Sequence, residues 1–156
     1  MEIVKRFFFI TGLIFLLDRI TKTIFQKVSV DLGFLKLHLV KNSGGIWGLF
    51  QGGNILFIIL TVLILLGILF FIKRIFAAPK LIWVSFALVF GGGLGNLVDR
   101  IALGYVIDFI DFTFWPAFNI ADSAITFAIV LLLINEFKPV VKKFVVRRKR
   151  LKERKV

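Results

Sequence analysis

The stretch Ile55–Ile72, ILFIILTVLILLGILFFI, holds 18 residues without a single charge. At about 1.5 Å of rise per residue, a helix of that length covers roughly 27 Å, close to the hydrocarbon thickness of a bilayer. A second uncharged run of equal length, Leu81–Val98 (LIWVSFALVFGGGLGNLV), follows a short link bearing Lys73, Arg74 and Lys80. Farther out, Phe7–Phe25 is apolar except for Asp18, Arg19 and Lys22, and Ala117–Ile134 carries one charge, Asp122. These segments predict an all-α integral membrane protein: one membrane-embedded domain over residues 1–156, with four transmembrane helices at about 7–25, 55–72, 81–98 and 117–134.

Composition points the same way. The 156 residues are 59% hydrophobic, with 20 Phe and only 19% charged residues, and mean hydropathy is +0.96. A soluble domain is roughly 45–50% apolar and alternates to keep a wet face, so a soluble enzyme is excluded, as is intrinsic disorder. There is no Cys and a single histidine, His38. That removes disulfides, thiol nucleophiles and Cys-ligated metals, and argues against a serine–histidine triad or a multi-histidine zinc site. No cofactor and no metal is expected; carboxylates, hydroxyls, lysines and amides are left to do any chemistry.

The net charge of +12 is unevenly placed. Residues 138–156 contain ten Lys and Arg against one acid, Glu153; the first 137 contain eleven against eight. A basic tail directly after an apolar segment reads as a cytoplasmic topology anchor with an affinity for anionic phospholipid, not as a nucleic-acid site. With both termini inside, fifteen Lys and Arg fall on the cytoplasmic side. Only Lys27, Lys36, Lys41 and Arg100 then fall outside. The N-terminal run continues into Asp18, Arg19 and Lys22 with no small-residue cleavage site, so it reads as a retained helix, not a removed signal peptide.

The outer connections carry the polar residues. Over Val28–Lys41 the helical period gives way to alternation. Leu35, Leu37 and Leu39 point one way and Lys36 and His38 the other, with Gly33 as a natural bend, so short strands are expected. The turn Asn42-Ser43-Gly44-Gly45 follows, then Ile46–Phe50 with Trp47 suited to the membrane interface; the whole outer region spans about 28–50.

Charges inside a membrane are costly, and each is a candidate site residue. Asp18 stands four residues before Lys22, with an ion pair as its structural explanation. Asn96 and Arg100, one turn apart at the outer end of the third helix, offer a substrate anchor; Asp99 and Arg100 also suit a pair with one another. Asp108 and Asp111 sit three apart in what reads as a loop. Asn119 and Asp122 are three apart on a fourth helix starting near Pro116. Two carboxylates sharing one low-dielectric site hold a single proton, which suits water-mediated amide hydrolysis. The same acids also suit a salt-bridge network with Arg100 or a divalent-cation site. A channel or transporter lined by Asp18, Asn96 and Asp122, and a hydrolase pairing Ser43 with Lys36 or Lys41, are further readings of these residues.

The blocks DRITK (Asp18–Lys22), NSGGIWG (Asn42–Gly48), GGGLGNLVDR (Gly91–Arg100), VIDFIDF (Val106–Phe112) and PAFNIADSAI (Pro116–Ile125) occur in the order found in the lipoprotein signal peptidases. The chain resembles that family, signal peptidase II, over nearly its whole length. Gly45-Ile46 stands where relatives usually show two alanines. The resemblance implies an aspartic endopeptidase of the bacterial cytoplasmic (inner) membrane that cuts lipid-modified prolipoprotein substrates before their diacylglyceryl-cysteine. It implies a catalytic pair of Asp108 and Asp122, a substrate groove lined by Asn42, Asn96, Arg100 and Asn119, and supporting roles for Asp18 and Asp99. It also implies a small extracytoplasmic β-sheet with a short outer helix, and sensitivity to globomycin-type inhibitors.

Overall fold

A computed structural model of the chain describes residues 1–44 and 53–153. Ile46–Phe50, with Trp47 and the expected short outer helix, and the Gly45-Ile46 substitution lie outside the described residues. In chain order the elements are α1 (Glu2–Phe25), β1 (Val30–Asp31), β2 (Lys36–Asn42), α2 (Asn54–Phe70), α3 (Ile72–Ala77), α4 (Lys80–Leu103), β3 (Val106–Asp111) and α5 (Ile120–Glu153). Lys80–Leu103 and Ile120–Lys138 are long and apolar enough to cross a membrane; Asn54–Phe70 is apolar but shorter.

The glycine-rich helix α4 is the hub, packing against α5, α1 and α2. A Cβ on Gly91 would lie 2.7 Å from the Thr11 carbonyl oxygen, and one on Gly92 2.6 Å from that of Ala121. Small residues here let three helices meet at backbone distance, which is how helices associate where lipid removes the hydrophobic incentive. Away from the sheet, Phe7, Leu65, Ile68, Ile75, Trp83, Ala87 and Phe90 form one buried cluster, with the Phe7 ring edge-on to Phe76 at 5.3 Å. Leu88, Ala124 and Ala128 seal the α4–α5 seam. The outward faces are apolar too: Leu63, Phe127 and Leu133 are among many large hydrophobic side chains left exposed. That is the surface a membrane protein presents to lipid, and a liability in water.

At the other end lies an antiparallel sheet of order β1-β2-β3. Gly33, at φ +81°, makes the turn between β1 and β2. Gly104, also at φ +81°, caps α4 and sends the chain back along β2 as β3. The Phe25 ring stacks on Phe109 at 4.8 Å and fastens the sheet to the end of α1.

Several boundaries differ from expectation. The fourth long helix begins at Ile120, not near Pro116, because Phe118 first pairs with Ile110 as a short bridge. The third runs to Leu103, since nothing stops it before Gly104. The second is interrupted at Phe71 and resumes as α3. VIDFID, read as a loop, is a strand. The alternation in β2 is broken by a register shift between Leu37 and Val40, so Leu39 is exposed while Leu35 and Leu37 are half-buried.

Candidate active site

Four elements deliver polar side chains to one point beneath the sheet. The segment Asn119–Asp122 is a reciprocal helix cap. Asp122 N–H donates to Asn119 Oδ1 at 2.9 Å, and Asn119 N–H returns a longer bond to Asp122 Oδ2 at 3.3 Å. Spacing three, read in the sequence as a shared helical face, is here an N-cap residue and the third residue of α5. The cap also settles which way the Asn119 amide points: its oxygen is taken by a backbone N–H, so its Nδ2 faces inward.

There, Asn119 Nδ2 donates to Asp108 Oδ1 at 2.7 Å and also lies near Asn96 Oδ1 (3.1 Å) and the Ile107 carbonyl (3.2 Å). Asn42, at the end of β2, accepts from Gly44 N–H through Oδ1 and gives its Nδ2 to Asp108 Oδ2 at 2.8 Å. Asn96 Nδ2 donates to Asp122 Oδ1 at 2.7 Å. Each aspartate therefore accepts a bond on both oxygens, and Asn119 bonds directly to both. Asp108 is only 1% exposed. Burial, and next the neighbouring Asp122 charge, push its carboxyl up to about 7, against the opposing hydrogen bonds from Asn42 and Asn119.

Asp18 and Asp99 are wholly buried beside the pair. Asp18 Oδ1 caps the Ala121 N–H at 3.0 Å, in the first turn of the helix that carries Asp122. Asp99 does not pair with Arg100. Its Oδ1 meets Arg19 Nη2 at 2.6 Å, and its Oδ2 meets Lys22 Nζ at 2.8 Å and the Ile107 N–H at 3.1 Å. Lys22 Nζ also lies 2.8 Å from Asp18 Oδ2. The outer acids thus do not gather around Arg100; four charges from α1 and α4 neutralise one another behind the site. Arg100 lies over the Phe57 ring at 5.0 Å, within electrostatic reach of Asp122, Asp108 and Asp99.

Asp111 is separated from the pair. It bonds His38 Nε2 at 3.1 Å through Oδ2 and Thr113 N–H at 2.8 Å through Oδ1, and these bonds hold its carboxyl below the usual range. Ser43 is exposed, while Lys36 pairs with Asp31 and Lys41 lies over Tyr105. Neither lysine is arranged to activate the serine. Among the described residues no three or more His, Asp and Glu converge on a metal-sized site.

A groove of about 670 Å³ opens beside the pair. Asn42 and Asp122 stand in its wall, with Trp115, Phe118, Thr126 and Val130 supplying much of the rest. It is apolar along its length and polar where it reaches Asn42 and Asp122. Sequence reasoning missed this wall, because Trp115–Phe118 and Thr126 carry no charge to mark them. It also read Lys22 only as a partner for Asp18, although a buried lysine in an apolar helix was itself the signal.

The family model described as signal peptidase (SPase) II matches residues 10–138. A lipoprotein signal peptidase from Syntrophomonas wolfei is 43% identical over 129 residues, covering 78% of this chain and 86% of its own. One from Halothermothrix orenii is 36% identical over 129 residues, covering 78% and 88%. A bacterial membrane enzyme solved by the in meso method at 2.3 Å resolution superposes with a TM-score of 0.80 at 31% identity, covering 90% of this chain and 92% of that one.

Proposed function

The chain belongs to the signal peptidase II family, and from that premise we propose that it is a membrane aspartic endopeptidase with Asp108 and Asp122 as its catalytic pair. As a lipoprotein signal peptidase it removes signal peptides from prolipoproteins. The cut falls before a diacylglyceryl-modified cysteine. The observation that carries this reading is the bridge made by Asn119, which ties Asp108 to Asp122 where Asp122 enters the polar end of an apolar groove.

In the proposed reaction a water lies between the two carboxyl groups. The ionised one takes a proton from that water while the protonated one gives its own to the scissile carbonyl oxygen, and a tetrahedral diol forms without a covalent enzyme intermediate. On collapse the carboxyl that took the water proton gives it to the leaving amine, and a diol hydroxyl returns its proton to the other carboxylate, which restores the pair. Asn42, Asn96 and Asn119 keep the carboxyl oxygens aimed, and Arg100 offers a cation to the substrate backbone. The groove wall along α5 takes the apolar signal segment and the lipid. Asp18 and Asp99 support the site by tying α1 to α4 and to the start of α5.

The protein is one membrane domain over residues 1–156, crossing the bacterial cytoplasmic (inner) membrane four times through α1, α2, α4 and α5. Both termini are cytoplasmic and the site lies near the outer face, an arrangement supported by the Lys and Arg asymmetry of its connections. Globomycin-type peptides occupy the same groove, and phospholipid surrounds the exposed apolar faces. Nothing in the fold or the relatives supports the channel or transporter alternative. Purified enzyme should release a signal peptide ending immediately before the lipidated cysteine, read by mass spectrometry. Solute flux into proteoliposomes without any cleavage would reverse the choice.

The pair works with one proton. Raising the pH through about 7 removes the proton held by Asp108 and leaves two like charges and no acid. The kcat/KM for prolipoprotein should therefore fall on the alkaline side, about tenfold per pH unit beyond the turning point. A profile flat to pH 9 would contradict a shared proton.

A further inference from the structure

Lys22 is 1% exposed, and all three of its N–H donors are spent. Nζ lies 2.8 Å from Asp18 Oδ2, 2.8 Å from Asp99 Oδ2 and 2.9 Å from Asn96 Oδ1. The first two contacts are charge pairing. The third leads to the site, because the other end of the same amide donates to Asp122 Oδ1 at 2.7 Å.

We propose that Lys22 is a positioning residue for the reaction, which through Asn96 fixes Asp122 as the ionised base of the pair and leaves the shared proton on Asp108. The assignment rests on the aspartic reading above and adds which carboxyl does what.

An ammonium has donors and no acceptor, so only the Asn96 oxygen can face it. Turning the amide over would set its NH2 against the cation and its oxygen against a carboxylate. The orientation is therefore enforced from both ends. An amide held between a cation and an anion is polarised by both, and the two bonds strengthen one another in a buried site. Asp122 also lies in the first turn of α5, where the unpaired N–H groups of a helix favour an anion. Asp108, on a strand, has no helix N-terminus beside it: its side-chain hydrogen bonds come from the neutral amides of Asn42 and Asn119, and Lys22 reaches it only through space. The charged groups surrounding Lys22 are Asp18 and Arg19 from α1, Asp99 and Arg100 from α4, Asp108 from β3 and Asp122 from α5. Asp18, Arg19, Lys22 and Asp99 sum to zero in formal charge; Lys22 acts on both carboxylates through space, and its one directed contact toward the pair is the bond to Asn96, on the Asp122 side.

Three variants test this: Lys22→Gln, Lys22→Met and, as control, Asp18→Asn, which breaks the same ion cluster but spares the Lys22–Asn96 bond. Turnover is normalised to the fraction showing cooperative thermal unfolding. Both Lys22 variants should lose roughly tenfold or more in kcat with KM little changed. With the cation gone, the base is harder to ionise, so the acid limb of their pH profiles should move up by about one unit. Asp18→Asn should lose stability without moving that limb upward. An unmoved limb in the Lys22 variants, an equal upward shift in Asp18→Asn, or no folded enzyme from either Lys22 variant while Asp18→Asn folds would make Lys22 a structural residue and overturn the proposal. Wild type that fails to cleave at all would sink the aspartic reading itself.

Discussion

Asp108→Asn and Asp122→Asn should each lower the turnover of a diacylglyceryl-modified prolipoprotein by about 1,000-fold or more, and the double variant should be no worse than either alone. General acid and base catalysis contributes roughly 10²–10⁴ in rate, and residues acting as one unit do not lose their contributions additively. An amide at either position nearly preserves shape: each carboxylate accepts on two oxygens, and its replacement still accepts on one. Folding should therefore suffer by only about 1 kcal/mol, the scale of a lost cap or hydrogen bond. Asp111→Asn is the internal control. Its carboxyl is engaged by His38 and Thr113 at the sheet, and turnover should stay within about twofold. Cleavage products from each folded variant, measured in single turnover, decide the matter. A near-wild-type rate in either Asp108→Asn or Asp122→Asn would break the pair.

How much of this site was legible in the sequence depends on the range of the interaction. Apolar runs are local, so the long helices could be read directly, with errors confined to their ends. Pro116 offered a plausible helix start, but Phe118 was already committed to Ile110. The strand β3 could not be recognised alone, because its partner β2 precedes it by more than sixty residues and VIDFID alternates no better than a buried loop. Asp99 beside Arg100 invited a neighbouring pair, whereas its real partners, Arg19 and Lys22, lie on a helix about eighty residues earlier. The identities of Asp108, Asp122, Asn42, Asn96 and Asn119 as candidates came from chemistry and resemblance. Their common focus came from topology: Gly104 turns the chain so that β3 lies over the start of α5.

The glycines of α4 should prove sensitive too, by a different route. Gly95 faces Asp18, and an added Cβ would lie 2.5 Å from Asp18 Oδ2 and 3.1 Å from its Cγ. That carboxylate cannot step aside, because Lys22 holds one oxygen and the Ala121 N–H the other. At Gly92 the obstacle is backbone, the Ala121 carbonyl at 2.6 Å, with Ile125 Cγ1 at 3.0 Å. The Gly92 methyl must push α4 away from the first turn of α5, one residue from Asp122, and the Gly95 methyl must displace the Asp18 carboxylate that caps the Ala121 N–H in that same turn. Overpacking of this kind costs about 1–3 kcal/mol. A displacement near 1 Å at a reacting group lowers rates by roughly 100-fold. Gly92→Ala and Gly95→Ala should accordingly melt at lower temperature and, per folded molecule, turn over about 100-fold more slowly. Gly12 and Gly67 lie in helices with nothing within 4 Å of an added Cβ. There the same change relieves the backbone entropy cost of glycine and should stabilise by about 0.5–1 kcal/mol with activity intact. The comparison isolates geometry from helix propensity, since all four substitutions are chemically identical. If Gly92→Ala proved as stable and as active as Gly67→Ala, the close approach of α4 to α5 would not be what sets the aspartates in place.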